Sequence, residues 1–252
     1  MDKALRSLVD WYAKVGVDVP DLAPAVAPRK KRASLAPPPP VVTSKPTRPK
    51  AQDDRPRPDA TRVAKAAKTL DALRTAVQGF DAGALSDGAR QAVFSRGNPD
   101  ADLMVIGEAP GRDEDIQGKP FVGQSGQLLD HMLAAIGLTE ENFYVTNIVN
   151  WRLPKNRDPK PEEIEICRPF LDRHVQLAKP KVLLLVGGVS MTALTGMTGI
   201  MKTHGQWQDI EIGGDTLPAL PLYHPAFLLR QPALKKEAWR DLLSLRAKLE
   251  AL

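Results

Sequence analysis

The sequence predicts an α/β fold, a three-layer α/β/α sandwich around a central, mostly parallel sheet of about four strands. Four apolar runs indicate buried strands, because strands that are covered on both faces are apolar throughout. They span residues 103–106, 143–147, 183–188 and 220–223. Segments with helical spacing of apolar residues lie between and after them, so strands and helices alternate along the chain.

The first strand ends at a glycine-rich turn that carries four acids. These are Glu108, Asp113, Glu114 and Asp115. In open α/β sheets, ligands bind beyond the carboxyl ends of the strands, because neighbouring loops diverge there. A helix predicted for residues 125–136 follows, with Gly137 as its C-terminal stop. Strand, acidic turn and helix therefore form one α/β unit with acids where a ligand would bind.

The later strands deliver polar or small residues to the same edge of the sheet. The aromatic and β-branched run at 143–147 ends on Asn147, and the run from residue 220 leads to His224. The run at 183–188 ends in two glycines, before a helix expected to start at Ser190. Further helices are predicted for residues 162–177 and 234–252. Because no GxGxxG or Walker loop follows a strand, nicotinamide and P-loop enzymes are disfavoured.

Composition divides the 252-residue chain unevenly. Residues 1–17 predict a short amphipathic helix, which either docks on the main domain or binds a protein partner. Residues 18–60 are rich in proline and cations and predict a disordered basic linker. One domain is expected over residues 65–252. The net charge of +5 fits a polyanionic partner, but much of the excess lies in the linker, which either keeps the protein soluble or tethers DNA.

Four ordered motifs, each at a predicted strand end, carry a resemblance to a known family. They read GEAPGRDED from Gly107, GKPFVG from Gly118, YVTN from Tyr144 and HPAFLLR from His224. Together they resemble the uracil-DNA glycosylase superfamily, in its bacterial and archaeal family 4-like branch, from about residue 94 to the C-terminus. The resemblance implies a monofunctional glycosylase that flips uracil out of DNA and hydrolyses its N-glycosidic bond. Free uracil and an abasic site remain, as base excision repair requires.

The resemblance also implies the base pocket. The amide of Asn147 would accept from uracil N3–H and donate to O4, whereas cytosine presents the opposite pattern. Phe121 would stack on the flipped base, and Gly107 and Ala109 would contact it. His224 would donate to uracil O2 as negative charge builds on the departing base, which a neutral imidazole can do.

The residue that handles the attacking water is left open by the sequence. Many members of the superfamily place an aspartate at the third position of the first motif, where this chain has Ala109. Glu108 and Asp115 are equal candidates for orienting water or stabilising the cationic sugar. Asp113 and Glu114 are equally well explained as a solvated acidic face. Outside the four motifs, His204 lies near enough to a loop to stay open as a functional residue.

Contacts to DNA are expected from two segments. Leu228 and Leu229 resemble the apolar wedge that, in this superfamily, fills the gap left by an extruded base. Arg230 can pair with a phosphate. Ala226 stands where many members have serine, which removes one hydroxyl donor to the DNA backbone. A close backbone approach to a phosphate is expected at Gly187 and Gly188.

The cysteine count separates this chain from the family that it resembles. Family 4 enzymes hold an iron-sulfur cluster on four cysteines, and the one counterpart here is Cys167. One thiolate cannot hold such a cluster. We therefore predict a variant without a cofactor or bound metal, in which Cys167 is a small buried side chain. Trp151 and Phe80 are expected to fill the vacated volume.

Two functions of other classes stay open at this point. The scaffold could retain uracil or DNA recognition without catalysis, which Ala109 favours and Asn147, Phe121 and His224 oppose. Alternatively, the N-terminal helix and the linker are the working parts and recruit a protein partner. The expected substrate is uracil-containing DNA, single- or double-stranded, bound by a monomer. Since no segment resembles a signal peptide or membrane span, we expect a cytoplasmic bacterial protein with no membrane contact.

Overall fold

The middle layer of the protein is a sheet of six strands, in a computed structural model that describes residues 58–252. The strands are β1 Arg96–Gly97, β2 Leu103–Gly107, β3 Phe143–Asn147, β4 Val182–Val186, β5 Gln208–Ile212 and β6 Asp215–Leu222. They lie in the order β1-β3-β2-β4-β6-β5. The predicted N-terminal helix, residues 1–17, and the predicted linker as far as residue 57 lie outside the described residues.

The three-layer class and the parallel centre of the sheet are confirmed, but the predicted number of four strands is wrong. Strands β3, β2, β4 and β6 are mutually parallel and correspond to the four apolar runs. Two antiparallel edge strands flank them, β1 beside β3 and β5 beside β6. The hairpin between β5 and β6 turns at Gly213 and Gly214, whose φ angles of 64° and 90° suit a tight hairpin turn. Both edge strands are partly exposed and therefore lack the apolar run that marked the others.

Ten helices of the described residues cover the two faces of the sheet. They are α1 Ala60–Ala66, α2 Leu70–Gln78, α3 Ala84–Asp87, α4 Arg112–Gln117, α5 Gln124–Ala135, α6 Pro161–Ala178, α7 Gly188–Thr195, α8 Ile200–Thr203, α9 Pro225–Arg230 and α10 Lys235–Glu250. Alternate residues of β2 point to opposite faces. Met104 and Ile106 pack with α1, α2 and α6, whereas Leu103 and Val105 pack with α5, α9 and α10.

The long helices predicted from the sequence end within about two residues of the observed boundaries. The helix expected at 125–136 is α5, and Gly137 follows it with a φ of 88°. The helices expected at 162–177 and 234–252 are α6 and α10. Within residues 58–252, no helix is long and apolar enough to cross a lipid bilayer.

The register of the parallel strands gathers their carboxyl ends at one edge of the sheet. Gly107 at the end of β2 pairs with Asn147 at the end of β3. The Gly187 amide, just after β4, donates to the Leu222 carbonyl at the end of β6, at 2.8 Å. Because β3 and β4 flank β2 on opposite sides, the loops diverge there and leave a crevice.

Candidate active site

A cleft of about 560 Å³ opens at this carboxyl edge of the sheet. Its walls come from the turn after β2, the loop before α5, the end of β3, the segment that follows β3, and α9. The cleft brings together most of the residues predicted for the pocket and for the chemistry. They are Glu108, Ala109, Phe121, Asn147 and His224, with Ala226 and Arg230 at the α9 side.

Asn147 is the buried polar group at the floor of the cleft. Its side chain is 3% exposed, and no residue of the described range 58–252 makes a hydrogen bond with its amide. An unsatisfied buried polar group costs about 1–3 kcal/mol, so it needs a reason to persist. The amide is therefore available to a ligand, to which it offers one acceptor and two donor hydrogens.

Close packing around Asn147 explains the glycine that ends β2. A methyl group on Gly107 would overlap the Asn147 side-chain oxygen and the Phe121 ring. The backbone of β2 therefore forms one wall of the space in which the amide and the aromatic ring meet.

Replacing Gly107 by alanine is expected to block this space without unfolding the protein. Overpacking of this kind costs about 1–3 kcal/mol of stability, because the amide and the ring must shift together. We expect ligand binding in the cleft to be lost, measured by titration with the substrate proposed below, while the far-ultraviolet circular dichroism is retained. Gly88→Ala is a matched control, since its φ is −89° and the nearest atom to a methyl group there is Pro154 Cγ at 4.0 Å. Unchanged binding by Gly107→Ala would contradict this geometry.

Phe121 is held in an unusual backbone conformation at the cleft wall. Its φ is 54° and its side chain is 6% exposed. The Glu114 carboxylate fixes the loop, because its Oε1 accepts from the Val122 amide at 3.0 Å and from the Gly123 amide at 2.9 Å. The Phe121 ring lies 5.9 Å from the His224 ring, with 29° between their planes. The two rings therefore flank one part of the cleft.

His224 caps the N-terminus of α9 and is fixed as a neutral imidazole. Its Nδ1 accepts from the Ala226 amide at 3.1 Å, which leaves Nε2 to carry the proton. Burial lowers the pKa of His224 to about 4, and the positive charge of Arg230 acts in the same direction. At neutral pH the ring is therefore uncharged, with Nε2–H as its donor.

Glu108 follows β2 and supplies the cleft with a carboxyl group whose pKa is raised. Burial raises the pKa of Glu108 to about 7, and the negative charge of Asp158 across the cleft acts in the same direction. A carboxyl group with a pKa near neutrality can accept a proton and release it again. The site thus pairs a neutral hydrogen-bond donor with a candidate base.

Comparison with known proteins identifies the family. The model of the Uracil DNA glycosylase superfamily matches residues 94–243, more than half of the chain. The chain belongs to the uracil-DNA glycosylase superfamily. It is similar to the type-4 uracil-DNA glycosylase of Archaeoglobus fulgidus, with 40% identity over 150 residues, 58% of this chain and 75% of that protein. Similar relatives of the same name are found in Saccharolobus solfataricus, at 38% over 168 residues (64% and 78%), and in Thermotoga maritima, at 34% over 139 residues (55% and 71%).

The predicted resemblance to the family 4-like branch is thereby confirmed. The described fold also agrees with membership of the uracil-DNA glycosylase superfamily, since a central sheet carries helices on both faces. The superfamily match begins at residue 94, where the predicted resemblance also begins.

Asp115 was expected to be an alternative to Glu108 as the residue that handles the attacking water, but it does not line the cleft. Its side chain is 3% exposed, and Oδ1 accepts from the Arg90 amide at 2.8 Å. The helical turn of α4 rotates Asp115 away from the cleft and turns Glu114 towards it. Asp115 therefore anchors α4 to the preceding loop, and Glu108 is left as the candidate base.

The residues expected to bind DNA differ in how far their side chains are exposed to solvent. Leu228 is fully buried in the core beneath α9, because helical periodicity turns it inward, so it is not exposed as a wedge would have to be. Leu229 is 37% exposed and Arg230 is exposed beside the cleft. Gly187 lies against the His224 side chain and Gly188 begins α7; neither lines the cleft.

Sequence reasoning missed two parts of the site. It treated Glu114 as equally well explained by a solvated face, whereas this carboxylate holds the Phe121 loop. It also missed the segment after β3, from which Asn156, Arg157 and Asp158 line the cleft. The segment is irregular apart from one short 3-10 turn, so no helical or strand periodicity marked it in the sequence.

The residues present do not fit the iron-sulfur cluster of family 4. Cys167 is the one cysteine of the chain, and burial raises its pKa to about 12. Trp151 is 3% exposed, and its ring lies 6.4 Å from that of Phe80, which packs edge-on against Phe170 at 4.9 Å. Aromatic packing therefore occupies this region, as the sequence predicted for Trp151 and Phe80. Among residues 58–252, no three metal-ligating side chains are assembled.

Replacing Trp151 by alanine is expected to lower the free energy of unfolding by about 3–5 kcal/mol, the usual cost of removing a large buried aromatic side chain. Urea unfolding followed by circular dichroism measures the change. Leu243→Ala is the control, because that side chain is 41% exposed, and it should change the free energy by less than about 0.5 kcal/mol. Equal effects of the two substitutions would show that the aromatic cluster does not support the fold.

Proposed function

We infer that this protein is a uracil-DNA glycosylase, a hydrolase that breaks the N-glycosyl bond of uracil in DNA for DNA repair. The observation that carries this inference is the buried Asn147 amide, which has no hydrogen-bond partner in residues 58–252 and shares one cleft with Phe121 and His224. Superfamily membership and relatives named type-4 uracil-DNA glycosylase support the same conclusion.

Recognition follows from the donors and acceptors at the cleft floor. The target base must leave the stack to reach a side chain as buried as Asn147. The Asn147 amide can then accept from uracil N3–H and donate to O4, whereas cytosine presents an acceptor at N3 and donors at N4. Stacking on Phe121 adds about 1–3 kcal/mol and excludes water.

Bond cleavage requires the departing base to accept negative charge. As the bond between C1′ of the sugar and N1 of uracil breaks, the electron pair moves into the base and charge accumulates at O2. The Nε2–H of neutral His224 is the donor that would stabilise this charge, and its fixed tautomer means that no reorganisation is needed.

Water completes the reaction at the cationic sugar. The Glu108 carboxylate would orient the water and accept its proton as oxygen bonds to C1′. The Ala109 position offers no carboxylate, so Glu108 takes this role in our proposal. The departing uracil anion takes a proton from solvent and the proton on Glu108 returns to solvent, so that the products are free uracil and an abasic site.

The DNA strand is proposed to run along α9. Arg230, which is exposed beside the cleft, would pair with a phosphate, and the exposed Leu229 would enter the gap that the flipped base leaves. We also propose that the protein acts as a monomer. Because the substrate is cellular DNA, we propose that the enzyme works in the bacterial cytoplasm.

Release of uracil from a single-stranded oligonucleotide with one uracil, under single-turnover conditions and with chelator present, tests the proposal. The wild-type protein should release the base. Asn147→Ala should slow release about 30-fold, because two hydrogen bonds of about 1 kcal/mol each are lost. Asn142→Ala, at an exposed asparagine away from the cleft, serves as the control.

Binding without release would overturn the enzyme proposal. A wild-type protein that prefers the uracil strand to a thymine strand, yet leaves the base in place, would instead be a binding module on the same scaffold.

A further inference from the structure

A largely buried pair of side chains lies beside Tyr223, the residue that precedes His224. His204, just after α8, places its Nδ1 2.7 Å from the Asp241 carboxylate of α10. The two side chains are 17% and 7% exposed, so water screens the contact little. Neither residue lines the cleft. A buried polar pair away from the reacting atoms, yet close to their support, requires an explanation.

The pair is connected to His224 through Tyr223. The His204 ring lies 4.2 Å from the Tyr223 ring, with 31° between their planes. Tyr223 is 1% exposed and precedes His224 directly in the chain. The Tyr223 ring also lies 5.7 Å from the ring of Phe227, which lines the cleft. Tyr223 thus contacts both His204 of the pair and Phe227 in the first turn of α9.

A backbone hydrogen bond also joins the turn after α8 to the end of β6, close to Tyr223. The Gly205 amide donates to the Pro221 carbonyl of β6 at 2.9 Å, two residues before Tyr223. A methyl group on Gly205 would overlap the Asp241 carboxylate, so α10 sits directly on this turn. The turn after α8, the end of β6 and α10 therefore meet close to Tyr223, the residue before His224.

We propose that His204 and Asp241 are positioning residues for His224. The Asp241 carboxylate fixes the His204 ring, the ring fixes Tyr223, and Tyr223 fixes the turn that aims His224 into the cleft. The proposal rests on the proposed glycosylase function, because it assigns the pair to the geometry of that reaction. Misplacement of a catalytic group by about 1 Å can lower the rate about 100-fold. Support of this kind therefore explains why a largely buried polar pair is present here.

The first test compares rate with affinity in the full-length protein. A labelled oligonucleotide with one uracil is treated with increasing enzyme, which separates the maximal single-turnover rate from the half-saturating concentration. His204→Ala is expected to lower the maximal rate about 10- to 100-fold and to leave half-saturation unchanged. Asp241→Ala should match it. Asp241→Asn should recover most of the rate, since its amide oxygen can still accept from Nδ1–H.

A matched control removes a different hydrogen bond of the same helix. Trp207 Nε1 donates to Ser244 Oγ of α10 at 2.9 Å, and this contact does not reach Tyr223. Ser244→Ala should therefore keep the wild-type rate. Thermal unfolding of every variant establishes that it is folded at the assay temperature, and any unfolded alanine variant is replaced by His204→Gln or Asp241→Leu, which also remove the contact.

Double substitutions decide whether the pair acts as a unit on His224. His204→Ala combined with Asp241→Ala should be no slower than either alone, and His204→Ala should add little to His224→Ala. Multiplicative effects, or a raised half-saturating concentration with an unchanged maximal rate, would overturn the positioning role. Absence of uracil release by the wild-type protein would instead refute the proposed function itself.

Discussion

Replacing His224 by alanine is expected to slow single-turnover release of uracil by about 100- to 1000-fold. Loss of one preorganised donor to a developing oxyanion has this effect in other enzymes. The geometry supports the comparison, because the Ala226 amide fixes Nδ1 as an acceptor and leaves Nε2–H as the donor. Binding of uracil-containing DNA should change little, since the donor stabilises charge that appears only during cleavage.

Rapid-quench measurement of uracil release, with DNA affinity measured separately by fluorescence anisotropy, tests this prediction. His131→Ala, at an exposed position of α5 outside the cleft, is the control and should behave as the wild type. The pKa of His224 near 4 also means that the ring stays neutral throughout pH 5–9, so this histidine should add no limb to the pH profile in that range. A His224→Ala variant that retains the wild-type rate would remove His224 from the mechanism.

Replacing Glu108 by glutamine is expected to slow release by about 100- to 10,000-fold, the usual contribution of a general base. The wild-type rate should rise with pH through about 7, because Glu108 accepts a proton only when it is ionised and its pKa is raised to about 7. This limb should be missing in Glu108→Gln. Rates measured from pH 5 to 9 with both proteins test the assignment, and an unchanged limb in the variant would assign the ionisation to another group.

The same substitution is expected to stabilise the folded protein at high pH. Because folding raises the pKa of Glu108 from 4.5 to about 7, the folded state holds this proton more tightly than the unfolded state. The resulting stability is fully present below pH 4.5 and is lost as pH rises through about 7. Glutamine stays neutral, so Glu108→Gln should unfold at a higher temperature than the wild type at pH 8 and at a similar temperature at pH 5. Thermal unfolding at both values measures the difference.

The parts of the site that could be predicted are side chains that directly follow a predicted strand. Asn147 and His224 each follow an apolar run, and parallel strands bring such ends to one edge of a sheet. Their places in the cleft could therefore be expected before the structure. The catalytic roles given to them stay predictions, which the substitutions above test.

The unpredicted parts depend on contacts between distant segments. Within one acidic turn, nothing in the sequence distinguished Asp115, which bonds to the Arg90 amide, from Glu114, which holds the Phe121 loop. Their difference is a rotation along α4, and a short acidic segment has no apolar face to fix that rotation. Leu228 and Leu229 are likewise equivalent in composition, and the packing of α9 buried the first.

The sequence by itself determined the layered α/β class, the four central strands and the family, because apolar periodicity and short motifs are local properties of the chain. It also determined that no four-cysteine cluster can form, since one cysteine is present. The tertiary structure alone decided the two edge strands, the carboxyl that faces the cleft, and the pair of His204 with Asp241. Hydrogen bonds and desolvation depend on which groups meet across the fold, and residues 37 positions apart along the chain carry no local sign that they will meet.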